Sequence, residues 1–194
     1  MRVSRKRAAE NRDRIIDVAG RLFRERGFDG IGVANLMKAA GLTHGGFYGN
    51  FESKEHLAVE ACERVLARTG DAWPGMAAKN PEAPLKGLLD WYLTAQHRDR
   101  PGEGCIYGAL AADVARQNSP ALRRAFMVGL RPLIDTLLQI IPGRSKAARR
   151  QKALACLSTM VGALILARAV DDAALSDEIL AAAHAFSGEP SRHV

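Results

Sequence analysis

Reactive chemistry is what these 194 residues lack. Cys62, Cys105 and Cys156 are odd in number, far apart and outside any CxxC spacing, which argues against a disulfide framework and against a cysteine-based zinc site. Five histidines are equally scattered. No HExxH, no GxSxG and no phosphate-binding glycine loop occurs, and the carboxylates form no obvious inward-facing pair. The expectation is a chain without catalytic residues, metal or cofactor.

Long apolar runs are also missing. The longest uncharged stretch, Ala153 to Ala167 between Lys152 and Arg168, is shorter than the roughly 20 residues a spanning helix needs, so no membrane partner is expected. The basic start, MRVSRKRAAENRDR, is followed by no apolar h-region and does not read as a secretory signal, which points to the cytoplasm. Hydrophobic residues at 47% and charged residues at 25% place the chain among globular proteins that bury a core.

Acidic residues are scarce where basic ones gather. Residues 1–26 carry nine Arg and Lys against four Asp and Glu, so +5 of the net +7 sits at one end. Such a segment either meets phosphates or an anionic surface or forms a solvated basic tail.

Hydrophobic spacing is helical almost throughout, and an all-α fold is expected. Ile15, Ile16, Ala19, Leu22 and Phe23 trace one face of a first helix that Gly27 ends. Gly32 stands at the N-cap of a short second helix, with Ile31 and Leu36 placed as a hydrophobic staple, and Gly41 closes it. The staple spacing recurs with Leu42 and Phe47 around Thr43, the expected cap of a third short helix. Helix, glycine-containing turn and helix is the sequence form of a helix-turn-helix, here over about 32–51. Ser53 opens a fourth helix with Leu57, Ala58, Ala61, Cys62, Val65 and Leu66 on its face, so a domain of three to four helices is expected over 8–69.

Residues 70–84, with three prolines and two glycines, read as a connection to a second helical domain over 75–194. Ser119 and Pro120 mark the start of a helix with Leu122, Phe126, Leu130, Leu133, Leu137 and Ile141 on one face. The helix from Lys146 to Ala169 is apolar nearly all round its second half, and Leu175 to Phe186 forms a last, Ala-rich helix. A helix apolar on every side must be covered on every side, so these last two helices are expected to form a four-helix bundle with their copies in a homodimer.

The stretch from Ile15 to Leu57 resembles the DNA-binding domain of the TetR family of bacterial transcriptional regulators, through IIDVAGRLFRERGF, LMKAAGLTHGGFYGNF and ESKEHL. The resemblance implies a ligand-responsive regulator, most commonly a repressor, that binds double-stranded palindromic operator DNA as a dimer and is released by a small-molecule or electrophilic effector. It implies a recognition helix from Thr43 to Phe51 in the major groove. Thr43 and Tyr48 would then contact phosphates, Lys54 the DNA backbone, and His44 and Gly45 the base edges. Arg5, Lys6 and Arg7 would follow the groove as an N-terminal arm. Two positions depart from the family pattern: Gly32 replaces the usual Ser or Thr, and Asn50 stands where His is common, both at expected backbone contacts. Gly45, Gly46 and Gly49 burden the recognition helix by roughly 1 kcal/mol each relative to Ala.

The sensor half carries no diagnostic motif. Trp91, His97, Cys105, Tyr107, Phe126 and Met127 are the candidates for lining an effector pocket, although side chains of these types are more often simply core. Cys105, at an expected helix start near Arg98 and Arg100, is placed either as a reactive thiol or as a small buried hydrophobe; the segment GEGCIYGALAADVA resembles electrophile-sensing members of the same family. A small-molecule enzyme lacks any readable acid, base and nucleophile grouping. A membrane-surface protein would explain the basic first helix but not its Asp13 and Asp17, nor the helix-turn-helix.

Overall fold

Helical periodicity becomes helix along nearly all of the chain. The computed structural model describes residues 5–188 and contains no strand among them. Its elements are α1 (Arg5–Arg26), α2 (Val33–Ala39), a 3-10 turn (His44–Gly46), α3 (Lys54–Ala78), α4 (Pro84–Tyr92), α5 (Ala95–Asp99), α6 (Ile106–Arg116), α7 (Pro120–Ile140), α8 (Lys146–Ala169) and α9 (Ala173–Gly188). The fold is all-α.

Two compact units interleave in sequence. One takes the chain up to Ala67 together with Pro101–Val128; the other takes Arg68–Arg100 together with the chain from Gly129 onward. Both α3 and α7 therefore contribute to each unit. Where composition suggests a connection over 70–84, α3 continues to Ala78 with Pro74 inside it, and the buried side chains of Trp73 and Ala77 give those last turns a reason to stay helical. The final residues of the expected second domain, 189–194, lie outside the described residues.

In the first unit, α1 turns Ile15, Ile16, Ala19, Leu22 and Phe23 inward, and α3 buries Leu57, Ala58, Ala61 and Cys62. The two helices approach closely: a methyl group added at Gly20 would lie 3.0 Å from Val65 Cγ2. Charge closes the same seam, since the Arg64 guanidinium meets Asp13 at 2.6 Å and Asp17 at 3.6 Å. Asp13 and Asp17 of the basic first helix are thus engaged within the protein. Gly32 caps α2 from an extended backbone (φ −86°, ψ 160°) without any side-chain bond, and Ile31 and Leu36 are both buried, as the staple requires. Gly41 ends α2 in the left-handed region at φ 71°, with Leu42 N–H donating to Met37 O at 2.9 Å. Helix α6 is fastened to α1: Arg24 Nη1 donates to Gly104 O at 2.8 Å, and Asp113 Oδ2 accepts from Phe28 N–H at 3.4 Å. Ser119 caps α7 by accepting from Leu122 N–H, and its hydroxyl donates to Glu55 in the first turn of α3.

In the second unit, α8 packs along α9, burying Leu157, Met160 and Leu164 from one helix and Leu180 and Ala183 from the other. The Arg168 guanidinium donates to the carbonyls of His97 and Arg98 at 2.8 and 3.0 Å, and Arg98 Nη1 donates to Ser176 Oγ and Asp177 Oδ1 at 2.8 and 2.6 Å. These bonds tie α5, α8 and α9 together. By length and a mean hydropathy of 1.5, α8 would suffice to cross a membrane. Here its buried stripe belongs to the packed unit.

Gly27 ends α1 at φ 75°, and an added Cβ would lie 2.8 Å from Asp113 Oδ2. Gly27→Ala should therefore destabilise the protein by about 1–2 kcal/mol, seen as a lower urea midpoint at unchanged m. Gly32→Ser, with open space around its Cβ, should raise the midpoint by a few tenths of a kcal/mol through a new N-cap bond. A neutral Gly27→Ala would refute the left-handed stop.

Candidate nucleic-acid interface

Three glycines decide the shape of the segment that follows the Gly41 turn. A helix from Thr43 to Phe51 is expected; the regular structure found there is the 3-10 turn His44–Gly46, with an irregular turn after it. Gly45, Gly46 and Gly49 each cost about 1 kcal/mol against an α-helix, more than so short a segment recovers from its ends. The bonds are accordingly of i to i+3 type, with Gly46 N–H to Thr43 O at 3.0 Å, Phe47 N–H to His44 O at 3.1 Å and Asn50 N–H to Phe47 O at 2.9 Å. Phe51 N–H alone reaches back four residues, to Phe47 O at 3.0 Å.

Side chains hold what the backbone does not. Phe47 and Phe51 are buried with ring centroids 5.7 Å apart. The Arg12 guanidinium from α1 lies 4.8 Å over the Phe51 ring, and the His56 ring from α3 stands edge-on to it at 6.1 Å. Glu60 joins the two, accepting from Arg12 Nη2 at 2.5 Å and from His56 Nε2 at 2.8 Å. Sequence reasoning missed this cluster because Arg12 and Glu60 lie 48 residues apart and no local spacing connects them.

The outer side of the turn carries little. His44, Gly45 and Tyr48 are exposed, Tyr48 at 68%, and a Cβ at Gly45 would meet nothing within 4 Å. The His44 and Tyr48 rings form an edge-to-face pair at 6.1 Å. Thr43 occupies the cap position of the 3-10 turn, with its side chain making no cap bond. Ser53 Oγ accepts from His56 N–H at 3.0 Å and so fixes the start of α3, where Lys54 is the first residue. Asn50 turns inward, its Nδ2 donating to Gly46 O at 2.7 Å. The structure thus brings Thr43, His44, Gly45 and Tyr48 together on one turn.

Arg5, Lys6 and Arg7 are exposed in the first turn of α1, helical rather than extended as an arm, because Ala8, Ala9 and Glu10 carry the helix outward from the core. That turn contains no acidic residue. Cations at the positive end of a helix are unfavourable in isolation and become favourable when an external anion lies against them.

The six pocket candidates fall into two groups. In the second unit, Trp91 and His97 stack at 6.1 Å with an interplanar angle of 23°. In the first, Tyr107 meets Phe126 edge-to-face at 5.2 Å and donates its hydroxyl to Phe126 O at 2.8 Å, while Met127 is exposed. Cys105 is buried at the N-cap of α6 and makes no side-chain cap bond. Burial pushes the Cys62 thiol up to about 12 and the Cys156 thiol up to about 11, so both stay protonated at neutral pH. A cleft in the second unit lined by Arg98, Arg168, Asp171, Asp172 and Ser176 went unnoticed in the sequence; Arg98 and Arg168 there are already engaged by protein acceptors.

Comparison with known proteins agrees with this geometry. The family described as bacterial regulatory proteins, tetR family, matches residues 15–61. The HTH-type transcriptional repressor NemR of Escherichia coli is 36% identical over 135 residues, covering 68% of this chain and 67% of NemR. The HTH-type transcriptional regulator AcrR of Shigella flexneri is 36% identical over 89 residues, 46% of this chain and 41% of AcrR. The match thus spans less than half the length of AcrR. The crystal structure of the reduced form of E. coli NemR superposes with a TM-score of 0.75 at 26% identity, covering 92% of this chain and 95% of that one. A TetR transcriptional regulator from Chloroflexus aurantiacus gives the same TM-score at 24% identity, over 93% and 96% of the two chains, a likeness of fold.

Proposed function

Because the chain belongs to the tetR family of bacterial regulatory proteins and is a DNA-binding transcriptional regulator, we propose that it is a cytoplasmic repressor that binds a palindromic operator as a homodimer. The observation that carries this reading is the exposed, glycine-containing turn from Thr43 to Tyr48, continued by Phe51 under Arg12 of a basic first helix. Arg5, Lys6, Arg7 and Lys54 meet phosphates as cations, Thr43 and Tyr48 meet them as hydroxyls, and His44 reaches a base edge while Gly45 lets the backbone approach the groove. Phosphate contacts supply affinity without sequence preference, so binding to a palindromic duplex should weaken steeply with salt. Duplex binding with no sequence preference at moderate salt would refute the reading.

A leucine at Gly45 fits the free protein, since nothing lies within 4 Å of its Cβ. Gly45→Leu should therefore leave the thermal transition intact while weakening operator binding by about a hundredfold, the scale of one or two lost base contacts. Unchanged binding in an anisotropy titration would sink the close approach.

The homodimer reading rests on exposed apolar side chains of the last two helices. Leu154, Ile165 and Leu166 on α8 and Leu175 and Phe186 on α9 are all exposed, and Gly162 on α8 has open space at its Cβ. Residues 154, 158, 161 and 165 recur at helical spacing on one face, as a bundle seam requires. Ile165→Glu should shift the protein from dimer to monomer in light scattering and lower operator affinity by at least about tenfold, because each monomer then holds one half-site. A dimer that survives this change, together with a dimer surviving Leu166→Glu, would place the interface elsewhere.

The effector binds in the C-terminal half and acts by changing the separation of the two recognition turns, which on B-DNA must be about 34–36 Å, one helical turn. Trp91 with His97, and Tyr107 with Phe126 and Met127, are the residues proposed to respond to it. A second reading makes the effector a small electrophile that reacts at Cys105. It is favoured by the place of Cys105 at a helix N-terminus and by the reduced form described for NemR. Under mild alkylation Cys105 should react faster than Cys62 and Cys156 by mass spectrometry; equal rates would remove this reading.

A further inference from the structure

We propose that Asn50 is a positioning residue for operator recognition, its side-chain amide holding the glycine-rich recognition turn closed by donating to the Gly46 carbonyl instead of contacting DNA. The inference rests on the reading that the turn from Thr43 to Tyr48 faces the duplex.

In a regular α-helix the Asn50 N–H would bond Gly46 O, four residues back. Here that N–H bonds Phe47 O at 2.9 Å, an acceptor it shares with Phe51 N–H. Gly46 O instead receives Asn50 Nδ2 at 2.7 Å, so the side chain makes the closure that the main chain does not. A carbonyl only accepts, which fixes the amide orientation with its NH2 group toward Gly46. Among the described residues this is the one side-chain bond to the backbone of residues 44–48. Asn50 is also half-buried, whereas His44, Gly45 and Tyr48 are exposed. The turn most in need of a brace, with Gly45, Gly46 and Gly49 within five residues, has it at this position.

Neighbouring Gly49 provides the test. Its φ lies outside the left-handed region, and an added Cβ would meet Gly46 O at an ordinary 3.8 Å, so Gly49→Ala stiffens the turn without strain. Asn50→Val, which cannot donate, should weaken operator binding about tenfold while leaving the thermal transition and the affinity for a non-operator duplex nearly unchanged. Gly49→Ala should restore about fivefold in the Asn50→Val background and much less in the wild type, because a stiffened backbone replaces the brace.

Equal effects of Gly49→Ala in both backgrounds would make Asn50 a direct DNA contact and overturn the proposal. Wild-type binding by Asn50→Val would overturn it too. Amide exchange of the free protein separates this from the fate of the DNA-binding reading: Asn50→Val should speed exchange at the N–H groups of Gly46, Phe47, Asn50 and Phe51 without any DNA present. Unchanged exchange there would show that no brace exists.

Discussion

A recognition segment that cannot support itself sets the terms for the rest of the first unit. With glycine at 45, 46 and 49, the segment from Thr43 to Phe51 gives up roughly 3 kcal/mol of helix propensity relative to alanine, which no cap on so short a piece restores. It is held as a surface loop is held, by its buried side chains. Phe47 and Phe51 are those anchors, and Phe51 in turn lies under Arg12 and beside His56. The position of the turn proposed to face DNA is therefore set by α1 and α3 through Phe51, together with α2, whose Met37 lies beside Gly46. The close approach at Gly20 and the pairing of Arg64 with Asp13 and Asp17 thus bear on the proposed recognition surface, though none of these residues is proposed to touch a base.

Charge follows the same division. The first helix carries acids as well as bases, the feature that in the sequence counts against a membrane-surface protein. In the structure Asp13 and Asp17 are turned to Arg64 and Glu25 lies 3.0 Å from Arg21. Exposed pairs of this kind add little stability. Their larger effect is on the field: Asp13, Asp17 and Glu25 are each offset by an arginine, while Arg5, Lys6 and Arg7 stand in a turn without an acidic residue.

Much of this was legible in the sequence, for a definable reason. The all-α class, the Gly32 cap, the Ile31 and Leu36 staple, the Gly41 stop and the Ser53 start of α3 depend on residues within a few positions of one another, and each is found at its expected place. Features set by distant partners were not legible. Asp113 meets Phe28 across 85 positions and Arg24 meets Gly104 across 80, so the joining of 101–128 to the first unit left no local trace. The recognition segment falls between these cases: its glycines announced a weak helix, but only the geometry shows a 3-10 turn closed by a side chain. The candidate pocket residues were chosen by type, and type does not distinguish Tyr107, whose hydroxyl is engaged by Phe126 O, from one turned to a ligand.

A reading face with so few side chains also constrains how selectivity arises in the proposed complex. Gly45, Gly46 and Gly49 offer bases nothing but backbone, and Asn50 donates an amide hydrogen to Gly46. His44 is left as the principal polar group able to distinguish one base edge from another. A mismatched pair costs about 1–3 kcal/mol, so one such reader per subunit separates operator from bulk DNA only modestly. Two subunits in fixed register square that ratio, because both half-sites must match at once. The spacing of the two turns then becomes a determinant of specificity comparable to the bases themselves. An effector that alters it need not touch the interface to release the DNA, since a half-site held alone falls back toward the non-specific affinity set by the phosphate contacts.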